Sequence, residues 1–243
     1  MKTEQAASLL AATPLFCGLQ RAELLALAEG VRPRNYPKNQ FIFHQGDHGD
    51  ALYVLVEGRV KVVLTSDEGN EIVLATLQPP EIFGELALID EGARSASIQT
   101  LEPVTVLLLT RSTLLDLLRT NPAVADALLR SVGRLVRRMI SQAADLVFLD
   151  LNGRVAKVLL RLIDDRGDAA APVTLDLGMT HSDLAAMVGG SRQSVNQTLR
   201  QFERRGFVEL RGRTVVVKDI AALRQRAGSP AWEYPASAGV PNR

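Results

Sequence analysis

The hydrophobic period of this chain changes twice along its length, and those changes constrain its fold more than any other feature. From Arg32-Pro33 to about Leu109, apolar residues recur at every second position. The runs are Phe41 and Phe43, Val54 and Val56, Val60, Val62 and Leu64, Ile72 and Leu74, then Val104, Val106 and Leu108. Alternation of this kind marks half-buried strands, whose successive side chains point to opposite faces. Turn residues separate the runs: Gly46-Asp47, Gly49-Asp50, Glu57-Gly58, Glu68-Gly69-Asn70 and Pro79-Pro80. So many short strands predict an antiparallel barrel or jelly roll of about eight strands, with glycines supplying positive φ at its corners.

On either side the period is helical. An N-terminal stretch over about residues 3–30 precedes the strands, and a short helix carrying Leu114, Leu117 and Leu118 follows them, ending at Asn121-Pro122. Pro122 suits the first turn of the next helix, which runs without interruption to about Leu149 and would measure about 42 Å. Val124, Leu128, Val132, Leu135, Met139, Ala143 and Leu146 form an apolar seam along it, with Arg130, Arg134, Arg137 and Arg138 beside or opposite. A seam on so long a helix must be covered. A coiled-coil dimer is the expected cover, and packing back onto the chain's own barrel is the alternative.

Composition sets the outer bounds. Hydrophobic residues make up 47% and charged residues 23% of the 243, which excludes a mainly disordered chain. No apolar run reaches the ~18 residues needed to span a bilayer, so no membrane partner is expected. Lys2 and the patch Ala6–Ala12 only loosely match a signal peptide, because Glu4 lies in the charged stretch. The single cysteine, Cys17, excludes a disulfide framework and a Cys-ligated zinc site, and suggests a reducing, cytoplasmic setting. The net charge of +1 conceals an acidic half, −5 over residues 1–120, and a basic one, +5 over residues 151–243. Only the basic half would favour a polyanion.

That half begins near Asp150, which can cap a helix starting at Asn152-Gly153, with Leu159, Leu160, Leu162 and Ile163 in its core. Residues 164–172 read as a loop. Thr180 followed by Asp183 resembles a capping box, and His181 and Ser182 stand at the same helix start. Leu184, Ala185 and Val188 are apolar, and Gly189-Gly190 is a turn. Ser191 can cap a second helix running to Arg205, with Gly206 as its stop. Val195, Leu199 and Phe202 face one way on that helix. Arg192, Gln193, Asn196, Gln197 and Arg200 face the other, and Ser194 lies in its first turn. Two helices joined by a glycine turn, the second presenting Arg, Gln and Asn, predict a helix-turn-helix for double-stranded DNA. Arg can fork onto guanine, and Gln or Asn can pair with adenine. Val208 to Val217 reads as a hairpin wing whose tip, at Arg211-Gly212-Arg213, could touch phosphate. The last sixteen residues, with three Pro, two Gly and two Ser, read as a flexible tail.

Three strings carry a resemblance: FGELALIDEGARSAS (Phe83–Ser97), LVFLDLNGRVA (Leu146–Ala156) and VGGSRQSVNQTLRQFERRG (Val188–Gly206). They resemble the cyclic AMP receptor protein and fumarate-nitrate regulator superfamily, in its order and spacing, over residues 14–227. The resemblance implies an α+β chain. Its parts would be a jelly-roll, double-stranded β-helix effector domain over 14–121, a dimerising helix over 122–149 and a winged helix-turn-helix over 150–227, with a tail over 228–243. It also implies a homodimer on a two-fold symmetric operator, working with RNA polymerase. The implied cyclic-nucleotide site comprises Gly84, Glu85, Leu86, Arg94 and Ser95. There Gly84 permits close backbone approach, Glu85 accepts from ribose hydroxyls, and Arg94 forks onto phosphate beside Ser95.

Two departures qualify the match. Where cyclic-AMP-responsive members place adjacent hydroxyl residues on the long helix, this chain has Met139 and Ile140, with Ser141 next and Leu135 one turn earlier. Neither Met nor Ile can pair usefully with a base edge. The expected consequences are weaker cyclic AMP binding, another pose, another cyclic nucleotide, or a dimer active without ligand. On the recognition helix Ser191 and Arg192 match. Gln193 stands for Glu, Gln197 for Arg, and His181 for an Arg at a phosphate contact, so altered operator preferences are expected. The cysteine count excludes the iron–sulfur branch, and nothing supports the haem branch. Two other classes are weighed. A cupin-like metalloenzyme would need clustered histidines, yet only His44 and His48 lie near the roll, around a turn that points them to solvent. No metal and no catalysis are therefore expected. An interaction-only adaptor would keep the roll without reading DNA.

Overall fold

A computed structural model describes residues 2–164, 171–176, 181–212 and 214–228. The chain divides into two compact units, residues 1–136 and 137–243.

The first unit opens with α1 (Thr3–Ala12) and α2 (Arg21–Gly30). The expected single helical stretch is therefore two helices. Thr13 precedes Pro14 and takes extended backbone, ψ 130°, because the proline ring excludes the helical conformation from the residue before it. The next helix restarts where the Gln20 amide donates to Glu23 Oε2 at 2.7 Å.

Eight strands and one short helix follow: β1 (Arg32–Tyr36), β2 (Phe41–Phe43), β3 (Ala51–Glu57), β4 (Val60–Thr65), β5 (Glu71–Leu77), β6 (Glu81–Phe83), α3 (Leu86–Ile89), β7 (Ser97–Thr100) and β8 (Val104–Thr110). They form two four-stranded antiparallel sheets, ordered β1-β8-β3-β6 and β2-β7-β4-β5. This is the expected roll.

Both faces of the central pair β3–β8 are covered. Ala51, Tyr53 and Leu55, with Val104 and Val106, point into the roll against Val60, Phe83 and Ile98. Leu52, Val54, Leu107 and Leu109 point outward against Leu10, Phe16, Leu24, Leu27, Leu114, Val124 and Leu128 of the helices. A strand buried on both sides reads as a continuous apolar run, which is what Ala51–Val56 is.

The next helix, α4 (Arg111–Thr120), is capped by Thr110, whose hydroxyl accepts from the Thr113 amide. α5 (Pro122–Phe148) is the long helix. Its seam divides in a way the spacing alone did not reveal. Val124, Ala127 and Leu128 are buried in the first unit's own core. Beyond them Leu135 and Met139 of the expected seam are half-buried and Leu146 is 58% exposed, and a neighbouring apolar row is bare as well. That row holds Leu129 at 71% exposure, Val136 at 50%, Ile140 at 61% and Val147 at 75%. Its steps of seven, four and seven residues follow a heptad.

The second unit continues with α6 (Leu151–Asp164), β9 (Val173–Asp176), α7 (His181–Val188), α8 (Arg192–Arg204), β10 (Val208–Arg211), β11 (Thr214–Val217) and α9 (Ile220–Ala227). β9 and α9 were not expected. β9 pairs antiparallel with β11, so the wing is the outer part of a three-stranded sheet ordered β10-β11-β9. Val155, Leu159 and Ile163 of α6 meet Leu184, Val188, Val195, Leu199, Phe202, Val215 and Leu223 in one core. The tail reading for residues 228–243 falls almost wholly outside the described residues, as does the central part of the 164–172 loop. No helix among the described residues is long and apolar enough to cross a membrane.

Candidate effector pocket and DNA-reading helix

The pocket is built around one buried cation. Arg94 lies between β6 and β7 and is 3% exposed. Its backbone is held by the Gly46-Asp47 turn: the Gly46 amide donates to the Arg94 carbonyl at 2.9 Å, and the Arg94 amide donates to the Asp47 carbonyl at 2.8 Å. The side chain turns inward. Nη1 donates to the Gly84 carbonyl at 2.6 Å and Nη2 to the Ala51 carbonyl at 2.8 Å. Nε is buried and has no hydrogen-bond partner among the described residues. A guanidinium carries five N–H donors, so two are satisfied here and donor capacity remains.

Two glycines give the guanidinium its space. Gly84 has φ +82°, and a Cβ there would stand 2.7 Å from Nη1. A Cβ on Gly49 would stand 3.1 Å from Cζ and 2.5 Å from the Ala87 Cβ. Both positions need glycine to admit the cation, and Gly84 needs it for its backbone as well.

The structure thus brings Gly84, Glu85 and Arg94 together. Glu85 stands immediately before α3, and burial pushes its carboxyl above the usual carboxylate range, against weaker lowering by a backbone hydrogen bond and Arg94. Leu86 opens α3 half-buried, and Ser95 is exposed beside Arg94. Burial lowers the Arg94 guanidinium itself, with Tyr53, Asp50, Glu85 and Asp47 opposing. Sequence reasoning missed Phe43, Gly49, Ala51 and Tyr53 as pocket residues. They lie on β2, on β3 and in the loop between them, and the pairing of those strands, not spacing, carries them to Arg94.

On α5, Met139 and Ser141 are half-buried and Ile140 is bare. Ser141 does not share the bare row. Its hydroxyl accepts from Lys157 Nζ of α6 at 3.3 Å, and the same ammonium donates to Asp145 Oδ1 at 2.5 Å.

The candidate DNA-reading helix, α8, is set by its cap and its buried row. Ser191 Oγ accepts from the Ser194 amide at 3.1 Å and lies 2.8 Å from the Ser194 hydroxyl. Val195, Leu199 and Phe202 are buried, so Arg192, Gln193, Gln197 and Arg200 are exposed on the other side, with Asn196 half-buried. Among the described residues Arg192 and Arg200 form no ion pair. Thr198 is buried and donates to Asn152 Oδ1 at 2.7 Å, while Asn152 Nδ2 donates to Gln201 Oε1 at 3.3 Å, which fixes α8 on α6. Arg154 donates from Nε to the Val188 carbonyl at 2.7 Å and from Nη1 to the Leu149 carbonyl at 2.8 Å. It therefore ties the end of α7 to the start of α6. The expected cap at Asp150 is present: Oδ1 accepts from the Gly153 amide at 2.8 Å, and Oδ2 pairs with Arg226.

Ser182 is exposed in the first turn of α7, which His181 opens. Thr180 and Arg213 lie outside the described residues. At the wing, Arg211 and Lys218 both pair with Glu209, at 2.7 Å each, and hold its carboxyl down to about 2. Part of the wing's expected positive charge is therefore neutralised within the wing. Among the described residues no group of three or more His, Cys, Asp or Glu could hold a metal ion, and His44 and His48 are exposed.

Comparison with known proteins agrees with this geometry. Residues 33–121 match the model of the cyclic nucleotide-binding domain, and residues 153–226 match that of the Crp-like helix-turn-helix domain. The chain is 35% identical, over 90% of its length and 98% of the relative's, to a CRP-like cAMP-activated global transcriptional regulator of Mycobacterium tuberculosis. It is 37% identical, over 88% of its length and 97% of the relative's, to the cyclic AMP receptor protein of Thermus thermophilus. Among solved structures it is similar to the c-di-GMP responsive regulator CLP of Xanthomonas campestris, with a TM-score of 0.70 and 25% identity, over 79% of this chain and 95% of that one. An effector roll with a buried arginine, a long helix and a capped reading helix in one chain are accounted for together: the chain belongs to the cyclic AMP receptor protein and fumarate-nitrate regulator family of DNA-binding transcription regulators.

Proposed function

We propose that the chain acts as a homodimer on a two-fold symmetric DNA site, and that a cyclic nucleotide bound in the roll controls it. Cyclic AMP is the first candidate, because the Mycobacterium tuberculosis and Thermus thermophilus relatives are named for it. Effector recognition is assigned to residues 14–121, dimerisation to 122–149 and DNA reading to 150–227, with RNA polymerase as the further partner.

The observation that carries the effector reading is Arg94. A buried cation with an unpartnered Nε and two glycine walls is a prepared anion site. The anionic phosphate of the nucleotide meets it, Glu85 accepts from the ribose hydroxyls, and Gly84, Leu86 and Ser95 line the approach. In the DNA-reading unit, Arg192, Gln193, Asn196, Gln197 and Arg200 read base edges. Contact with the phosphate backbone is assigned to Thr180, His181, Ser182, Ser191, Ser194 and Arg213.

Calorimetric titration of the dimer with cyclic AMP, beside DNA binding with and without the nucleotide, tests this. Micromolar binding that tightens DNA affinity is expected. Absence of both heat and any change in DNA binding would remove the effector reading. Glu85 adds a pH signature. Its carboxyl ionises above the ordinary range in the folded protein, so acidification protonates it early and weakens it as an acceptor. Nucleotide affinity should fall as pH drops, with a midpoint above the usual carboxylate range, and Glu85→Gln should flatten that profile in parallel titrations.

The bare row on α5 supports the dimer. Leu129, Val136, Ile140 and Val147 step along the helix as a coiled-coil seam does. Ile140→Glu should convert dimer to monomer at micromolar concentration in sedimentation velocity; an unchanged dimer would place the interface elsewhere. The same row favours a second reading. It continues through Ile140, where cyclic-AMP-responsive members have a hydroxyl, so the two helices could close without a ligand. Full-strength DNA binding by nucleotide-free dimer would establish that reading.

A further inference from the structure

A buried guanidinium is ordinarily neutralised by a carboxylate. Arg94 forms no ion pair within 4 Å among the described residues, and Asp50, Glu85 and Asp47 act on it only from farther away. What lies against it is aromatic. Its Cζ stands 4.3 Å from the centroid of the Phe43 ring and 5.7 Å from that of Tyr53, both within the ~6 Å reach of cation–π attraction.

The rings are themselves fixed. Tyr53 and Phe83 are cross-strand partners on β3 and β6, stacked at 5.2 Å and 3°. Phe43 comes from the opposite sheet and packs 5.5 Å from Tyr53 and 6.0 Å from Phe83. Two rings from facing sheets, Phe43 and Tyr53, meet the cation, and Phe83 packs behind both.

We propose that Phe43 is the positioning residue for Arg94, and that the cation–π contact with its ring holds the guanidinium ready for the phosphate of a cyclic nucleotide. This rests on the effector reading of the pocket. The physical reason is geometric. Hydrogen bonds from a guanidinium lie in its plane, whereas cation–π attraction acts on its face. A carboxylate partner would occupy the in-plane donors that the phosphate needs. An aromatic ring holds the cation without using any of them, so the anion adds at the edge while the contact persists. Ordering Arg94 beforehand also removes the rotamer entropy that binding would otherwise lose. Phe43 acts through Arg94 and does not itself bind the nucleotide.

The test replaces Phe43 in the full-length protein with 4-fluoro-, 3,5-difluoro- and 3,4,5-trifluorophenylalanine. Fluorination drains the ring's negative face and nearly preserves its shape, so a packing role would not respond. Cyclic AMP and cyclic GMP are titrated into each variant by calorimetry, beside Arg94→Ala, Phe43→Leu and Phe43→Trp, with thermal midpoints recorded. Affinity is expected to fall stepwise with fluorine count, to fall about ten-fold or more in Phe43→Leu, and to be retained in Phe43→Trp. If Arg94→Ala loses binding while the fluorinated series does not move, the proposal fails and the pocket stands. Tighter binding on fluorination would mean that the contact opposes the ligand, and would also overturn it. If neither nucleotide binds the unaltered protein, the proposal and the effector reading fall together.

Discussion

Arg192→Ala should lower affinity for the cognate site by roughly 30-fold to more than 10⁴-fold while changing affinity for random DNA only a few-fold. A bidentate Arg–guanine contact discriminates by about 1–3 kcal/mol, and a two-fold dimer loses two such contacts, about 2–6 kcal/mol together. The structure supports this asymmetry. Arg192 is the first residue of α8, directly after the Ser191 cap, with the buried row of Val195, Leu199 and Phe202 facing away from it. Its guanidinium is exposed, and among the described residues no carboxylate competes for it. Competition binding at one fixed salt concentration, with a selected site against random duplex, is the measurement. Equal losses on both DNAs would show that Arg192 touches phosphate only.

Arg94→Ala should cost cyclic nucleotide affinity about 10²- to 10⁴-fold. Two hydrogen bonds to a charged group are worth about 1.5–3 kcal/mol each, and alanine removes both. Arg94→Lys should not restore binding, because an ammonium cannot fork onto two phosphate oxygens. The substitution also leaves the Gly84 and Ala51 carbonyls without their donor, so thermal unfolding should be recorded on the same samples. Retained affinity in a folded Arg94→Ala protein would show that the phosphate does not meet this residue.

Local chemistry made much of this readable in advance. Period-two runs located β2, β3, β4, β5 and β8, Ser191 and Asp150 announced their helices by capping, and the apolar spacing on α8 separated buried from outward residues. The failures have a common physical origin. β9 is four residues long and owes its existence to pairing with β11, a partner forty residues away that no local period reports. Phe43 reaches Arg94 because β2 pairs with β7, whose approach carries Arg94, more than fifty residues on in the sequence. On α5 the two candidate rows are adjacent on the helix surface, and both are apolar. Which of their residues are bare depends on how Val124 and Leu128 seat against the roll, and that is a matter of packing rather than spacing.

β3 has a role in this molecule that follows from its lack of a free face. Ala51 accepts from Arg94 on the roll's interior, and its neighbours Leu52 and Val54 press on the helices, including the opening turns of α5. Close-packed interiors resist local compression. A strand wedged between two occupied layers cannot yield on one side alone, so whatever repositions Arg94 also displaces the base of the long helix. On the proposed effector reading, the strand would act as a rocker between the anion seat and the helices packed on its other face. Trimming Leu52 or Val54, which touch neither nucleotide nor DNA, would loosen the rocker and blunt the signal while both binding surfaces remained whole.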